Sequence, residues 1–134
     1  MRYLLDTNIC VYALKRRPPE VLQRLREVGP AEVGISVVTL VELRHGAAKS
    51  QDPEKAHQKL DLFLKPLTVL EFDEPAAEKA GRLRADLERA GTPIGDLDSL
   101  IAAHALASGH TLVSNNLREF ERVPHLKTEN WVAS

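Results

Sequence analysis

Short β-type runs alternate with longer helical patterns along almost the whole chain, and that alternation restricts the fold more than any other feature. It predicts an α/β protein with a mainly parallel sheet. Residues 2–5 read as a strand ending at Asp6-Thr7-Asn8, and 8–15 as a helix. Pro18-Pro19-Glu20 opens a second helix, striped by Val21, Leu22, Leu25 and Val28, because proline suits a first helical turn. Gly29-Pro30 ends it before a strand over 33–36. Helices over 38–46 and 53–65 precede a third strand over 67–72. An amphipathic helix follows over 75–90, carried by Ala76, Ala80, Leu83 and Leu87 and closed by Gly91. The helix over 97–108 is apolar on nearly every face and ends at Gly109. A strand over 111–113, a short turn or helix over 116–121 and an edge strand over 126–128 complete the pattern.

A length of 134 residues predicts one domain, 1–134, with a proper core. The chain has no apolar run of the ~18 residues needed to cross a bilayer. Its start, Met1-Arg2-Tyr3-Leu4-Leu5-Asp6, is too short in apolar residues for a signal peptide, so a cytoplasmic protein without membrane partners is expected. The single cysteine, Cys10, excludes an internal disulfide and reads as a small core residue. A formal net charge of −1 argues against coating nucleic acid by bulk charge. It leaves room for an enzyme with local basic patches and acids that hold metal.

The acids fall at telling places. Asp6 follows strand one, Glu42 follows strand two by about one helical turn, Asp96 and Asp98 open the apolar helix, and Glu119 lies beyond strand four. In a parallel sheet the carboxyl ends of the strands share one edge, and ligands bind there at the switch in strand order. Each acid also has a purely structural reading. Asp6 and Asp96 suit helix N-caps, Thr39-Leu40-Val41-Glu42 has capping-box spacing, and Glu119 could be a solvated charge. Asp98 is harder to dismiss, because an acid in an all-apolar helix is expected to be buried and must then be paired or coordinated. Converging carboxylates repel unless neutralised, and hard divalent cations are their natural partners. The five histidines show no zinc spacing, and His104 reads as a packed helix residue.

Four strings carry a family resemblance over essentially the whole chain. They are Leu4-Leu5-Asp6-Thr7-Asn8, then Ile35 to Leu43 with Gly46, then Gly91-Thr92-Pro93-Ile94-Gly95-Asp96-Leu97-Asp98 running into Ile101-Ala102-Ala103-His104-Ala105, and finally Ser114-Asn115-Asn116-Leu117-Arg118-Glu119-Phe120 through Val123. In this order and spacing they resemble the PIN-domain family and, within it, the VapC toxins of type II toxin–antitoxin pairs. The resemblance implies a three-layer α/β/α sandwich and Mg²⁺- or Mn²⁺-dependent endoribonuclease activity through a metal-activated water. By motif, Asp6, Glu42 and Asp98 match the principal acids, Glu119 falls near the fourth, and Asp96 matches an extra acid ranked below Asp98. Ser114 stands where the family usually has Thr, and Asn116 where some relatives have Asp. Thr7, Asn8, Ser114 and Asn115 are expected to orient carboxylates or phosphate. Lys15-Arg16-Arg17, Arg44-His45 and Lys49 are candidates for holding the RNA backbone. The implied partners are an RNA such as tRNA, a VapB-type antitoxin lying over the helices at 8–15 and 53–65, a second copy of the chain, and DNA only through the antitoxin.

Three other readings share parts of this pattern. A phosphoacceptor signalling domain needs adjacent acids after strand one and a lysine after the last strand; here Asp6 stands alone and Ser114-Asn115 takes the lysine's place. A dehalogenase-type phosphatase needs Asp-x-Asp, which Asp6-Thr7-Asn8 lacks. A catalytically silent PIN-like binding module would not need the full set of acids.

Overall fold

The structure, a computed structural model, describes residues 1–133. Strand β1 (Tyr3–Leu5) leads into α1 (Thr7–Lys15) and α2 (Pro19–Val28). A 3-10 turn (Pro30–Glu32) precedes β2 (Val33–Ser36), α3 (Val37–Ala48) and α4 (Pro53–Leu64). Then follow β3 (Thr68–Leu70), α5 (Glu74–Arg89), α6 (Asp96–Ser108), β4 (Thr111–Val113), the four-residue α7 (Leu117–Phe120) and β5 (Thr128–Glu129). The sequence-based elements are all present, with ends shifted by no more than two residues.

All strand pairs are parallel, in the order β3-β2-β1-β4-β5. The chain builds outward from β1 to β3 and then returns to the other side of β1, so the order switches between β1 and β4. Right-handed crossovers demand that helices added in the two directions lie on opposite faces. The core obeys this. Tyr3, Leu5, Val33, Ile35 and Val113 pack with Ile9, Cys10, Val21, Leu25, Leu43 and Leu60 of α1–α4. Leu4 and Leu112, offset by one residue along their strands, pack with Ala80, Leu83, Leu87 and Ile101–Ala103 of α5 and α6. The period-two alternation of a strand with both faces covered thus produces the expected α/β/α sandwich. Each fully buried Leu or Ile contributes about 1.5–3 kcal/mol.

Two glycines matter to this arrangement. At Gly34 in β2 the carbonyl oxygen of Thr68 lies 2.8 Å from where a Cβ would sit, so any side chain collides with the neighbouring strand. Gly109 adopts φ +73° and closes α6, as a left-handed C-terminal residue should. Helices α5 and α6 form the most extensive helix pair, because alanines on their facing sides allow close approach. Cys10 is buried and free, as expected. Among the described residues no helix is long and apolar enough to cross a membrane.

Candidate active site

The carboxyl ends of β1 and β4 emerge side by side, tied by Asp6 N–H donating to the Val113 carbonyl at 3.0 Å. Asp6 caps α1: its Oδ1 accepts from the Ile9 N–H at 2.9 Å. The Ser114 hydroxyl, fully buried just beyond β4, sits close enough to the same carboxylate to favour its charged form. Asp6 is 5% exposed. Burial pushes its carboxyl above the ordinary value; Ser114 and Ile9 pull it back down, and the charge of Glu42 pushes it up. The cap on α1 and the place beside Glu42 are thus compatible in one carboxylate.

Glu42, half-buried on α3, accepts at Oε1 from the Thr7 hydroxyl at 2.5 Å. The capping box that would explain Glu42 structurally does not form. Ser36 caps α3 by accepting from Val38 N–H at 3.0 Å, whereas Thr39 lies inside the helix with a buried Oγ1 that lacks a partner among the described residues. Ser36 wins because it is the last strand residue, with extended backbone and its side chain at the helix mouth.

Asp98 occupies the third position of α6. It is half-buried, not enclosed as the apolar sequence around it suggests, because α6 buries itself from Ser99 and Ile101 onward and leaves its first turn open. Its carboxyl is pushed up to about 7. Partial burial is the largest cause, followed by a hydrogen bond with Glu119 and the charges of Glu119, Asp6 and Glu42. Glu119 on α7 is fixed at both oxygens, with Gly95 N–H on Oε1 at 2.7 Å and Asn116 Nδ2 on Oε2 at 2.6 Å. Four acids from four elements thus feel one another.

Other expected residues sit differently. Asp96 turns outward, its side chain 84% exposed and paired with Arg84 of α5 at 3.0 Å, which separates it from the four acids. It is the first residue of α6 and makes no side-chain cap; the cap position is Gly95. Asn115 is exposed and accepts from Asn130 Nδ2 at 3.0 Å, at the β5 side, and Asn8 is exposed. Arg44 is committed to Asp61 at 2.5 Å and to His57 at 3.2 Å, stapling α3 to α4. Lys15 and Arg17 line an open groove of about 820 Å³, with Val11, Leu14, Leu43, Leu60 and Lys59; Thr7 and Glu42 are part of its lining, so it runs into the acidic cleft. His104 is packed: Nδ1 meets Ser36 Oγ at 2.8 Å, its ring meets Phe72 edge-on at 5.2 Å, and burial pushes its pKa down. Asn116 and Gly95 are the contacts that sequence reasoning missed. The only available signal was the i, i+3 spacing of Asn116 and Glu119.

The donor set is all oxygen, which suits Mg²⁺ or Mn²⁺ and not a soft metal. The Asp98 carboxyl is pushed up by partial burial and by Glu119, Asp6 and Glu42, and a cation at this point would offset that crowding of charge. Among the described residues no three acids, histidines or cysteines are close enough for a ready-made cage.

A parallel α/β/α domain with carboxylates at the switch point of its sheet places them where open α/β sheets bind their ligands. A family profile described as "PIN domain" matches residues 3–126, and the chain belongs to the PIN-domain family, among its VapC-type members. It is 46% identical to "Ribonuclease VapC2" of Haemophilus influenzae, over 98% of this chain and 99% of that one. It is 44% identical to the "tRNA(fMet)-specific endonuclease VapC" of Shigella flexneri, over 98% of each. The crystal structure of VapBC2 from Rickettsia felis, bound to a promoter DNA fragment, matches with TM-score 0.91 and 42% identity, covering 98% of this chain and 100% of that one. The DNA-bound VapBC of Salmonella typhimurium matches with TM-score 0.93 and 41% identity over 98% and 99%.

Proposed function

We propose that this chain is a Mg²⁺- or Mn²⁺-dependent endoribonuclease, the toxin half of a toxin–antitoxin pair, and that its substrate is a structured RNA of the tRNA class. The observation that carries the reading is the meeting of Asp6, Glu42, Asp98 and Glu119 from four separate elements, with Asp98 raised to about 7 by its burial and its neighbours. Relatives at 46% and 44% identity named as ribonuclease and tRNA(fMet)-specific endonuclease support the substrate class.

In this reading Asp6 and Asp98 hold the cation, with Glu42 and Glu119 acting directly or through water. A divalent ion in the cleft supplies a more acidic water and shields charge building on the phosphoryl oxygens. The protein's own residues set the stage. Ile9 N–H and Ser114 fix Asp6, Thr7 fixes Glu42, and Gly95 and Asn116 fix Glu119. Such pre-ordering is the usual way a protein lowers the reorganisation its reaction demands. Lys15, Arg17 and Lys59 give the adjoining groove the positive rim that an RNA backbone needs.

The same groove, with its floor of Val11, Leu14, Leu43 and Leu60, suits the apolar face of an antitoxin segment, and a guanidinium from that segment would meet the carboxylates beyond it. The matching VapBC structures support an antitoxin partner of VapB type, and their DNA supports contact with DNA through that partner.

The test is cleavage of a tRNA panel by purified chain with Mg²⁺ or Mn²⁺, with EDTA, and with the Asp6→Asn variant. Cleavage that EDTA stops, that added cation restores and that Asp6→Asn lacks is expected. Full cleavage in EDTA, or by Asp6→Asn, would defeat the reading.

A further inference from the structure

We propose that Asn116 is a positioning residue that sets the Glu119 carboxylate, and through it Asp98, in the arrangement the cleft uses; this rests on the reading of the cleft as a metal-dependent ribonuclease site. Asn116 touches both arms of the cleft. Its backbone N–H donates to Ser114 Oγ at 2.9 Å, and that hydroxyl holds Asp6. Its side-chain Nδ2 donates to Glu119 Oε2 at 2.6 Å, and Glu119 Oε1 and Asp98 Oδ2 flank Gly95 together, 3.6 and 3.5 Å from where a Cβ on that glycine would sit. The three-residue turn from Ser114 to Asn116 thereby links the acid after β1 to the acid that opens α6.

Glu119 needs that support. Helix α7 has only four residues, too few to hold a side chain's direction by its own backbone ladder. Gly95 N–H takes one carboxylate oxygen at 2.7 Å, which leaves the carboxylate free to pivot about that contact. The Asn116 amide takes the other oxygen and removes the pivot. Glu119 then presents itself to Asp98 in one orientation. An amide donor is the right chemistry here: it neutralises nothing, so the charge that recruits a cation is kept. An aspartate at 116 would have the same shape without the donor and would place a second anion against Glu119.

The experiment uses the full chain with Asn116→Ala, Glu119→Ala and both together. Mn²⁺ affinity is read by electron paramagnetic resonance without RNA, and kcat and KM are measured on a tRNA. Asn116→Ala is expected to cost about 10- to 100-fold in Mn²⁺ affinity or kcat, as loss of a ligand-orienting partner does. KM for RNA and the melting temperature are expected to hold, because the side chain is exposed and makes no core contact. In the Glu119→Ala background the same change is expected to cost less than about twofold, since its only target is gone. Losses that multiply instead, or an Asn116→Ala variant equal to wild type, would overturn the proposal. So would an Asn116→Asp variant that binds Mn²⁺ more tightly and cleaves faster than wild type, which would make 116 a ligand position. A wild-type chain that neither binds Mn²⁺ nor cleaves RNA would instead bring down the ribonuclease reading itself, and this inference with it.

Discussion

The two arms of the cleft are built on opposite principles. On the β1 side, Asp6 is buried beside neutral donors, Ile9 N–H and the Ser114 hydroxyl, at the end of the central strand. On the α6 side, Asp98 is half-open and its hydrogen-bond partner is another carboxyl, Glu119. The first acid is held in place by the fold, with neutral donors offsetting part of the rise that burial causes. The second is pushed up to about 7 by partial burial and its acidic neighbours. In the proposed metal site the fixed arm supplies position, and the arm whose charges oppose one another supplies the drive.

Removing either acid should abolish cleavage, the largest effect expected, but the two changes should differ in stability. Asp6→Asn keeps a good capping residue and should cost no more than about 1 kcal/mol. Asp98→Asn should raise the melting temperature of the metal-free protein, because it deletes a charge that its neighbours oppose. Thermal melts in EDTA read the contrast directly, and a lowered melting temperature for Asp98→Asn would break it.

The pH dependence sharpens the same contrast. Asp98 has an ordinary value of 3.8 and stands at about 7 in the folded chain, so the folded state keeps a proton that the unfolded state releases. Its contribution to stability is complete below about 4 and is lost as the pH rises through about 7. Cation binding should displace that proton and therefore strengthen over the same range. The rise in melting temperature on adding Mg²⁺ should be larger at pH 8 than at pH 5.5, and equal rises would contradict it.

Smaller effects should follow at the margins. Thr7→Val leaves Glu42 without its donor, and a loss of about 10-fold in cleavage with little change in melting temperature is expected. Asp96→Asn disturbs only an exposed pair with Arg84, worth about 0–1 kcal/mol, and should leave cleavage within about threefold. A large loss there would put Asp96 back into the cleft.

Much of this was legible in the sequence, for physical reasons. Strands buried on both faces give short apolar runs, and their alternation with capped helices announced the parallel sheet. Asp6, Glu42, Asp98 and Glu119 could be chosen because each follows a strand or opens a helix on one sheet edge. Asp96 and Asp98 could not be separated so well. They lie two residues apart on a helix, about 200° around its axis, so only the seating of α6 on α5 decides which faces the cleft. The half-open state of Asp98 was hidden for a related reason: apolar composition says that a helix is buried, but not where its burial starts. The partners of Asn115 and Asn116 depended on where β5 and α7 come to rest, and neither element has a strong local pattern.

The most direct test of the shared cation site is Mn²⁺ binding to the RNA-free chain, followed by electron paramagnetic resonance in wild type, Asp6→Asn and Asp98→Asn. Saturable binding in wild type that is lost or greatly weakened in both variants is the predicted result. Equal binding in all three proteins, or none in wild type, would show that these carboxylates do not act together on a cation.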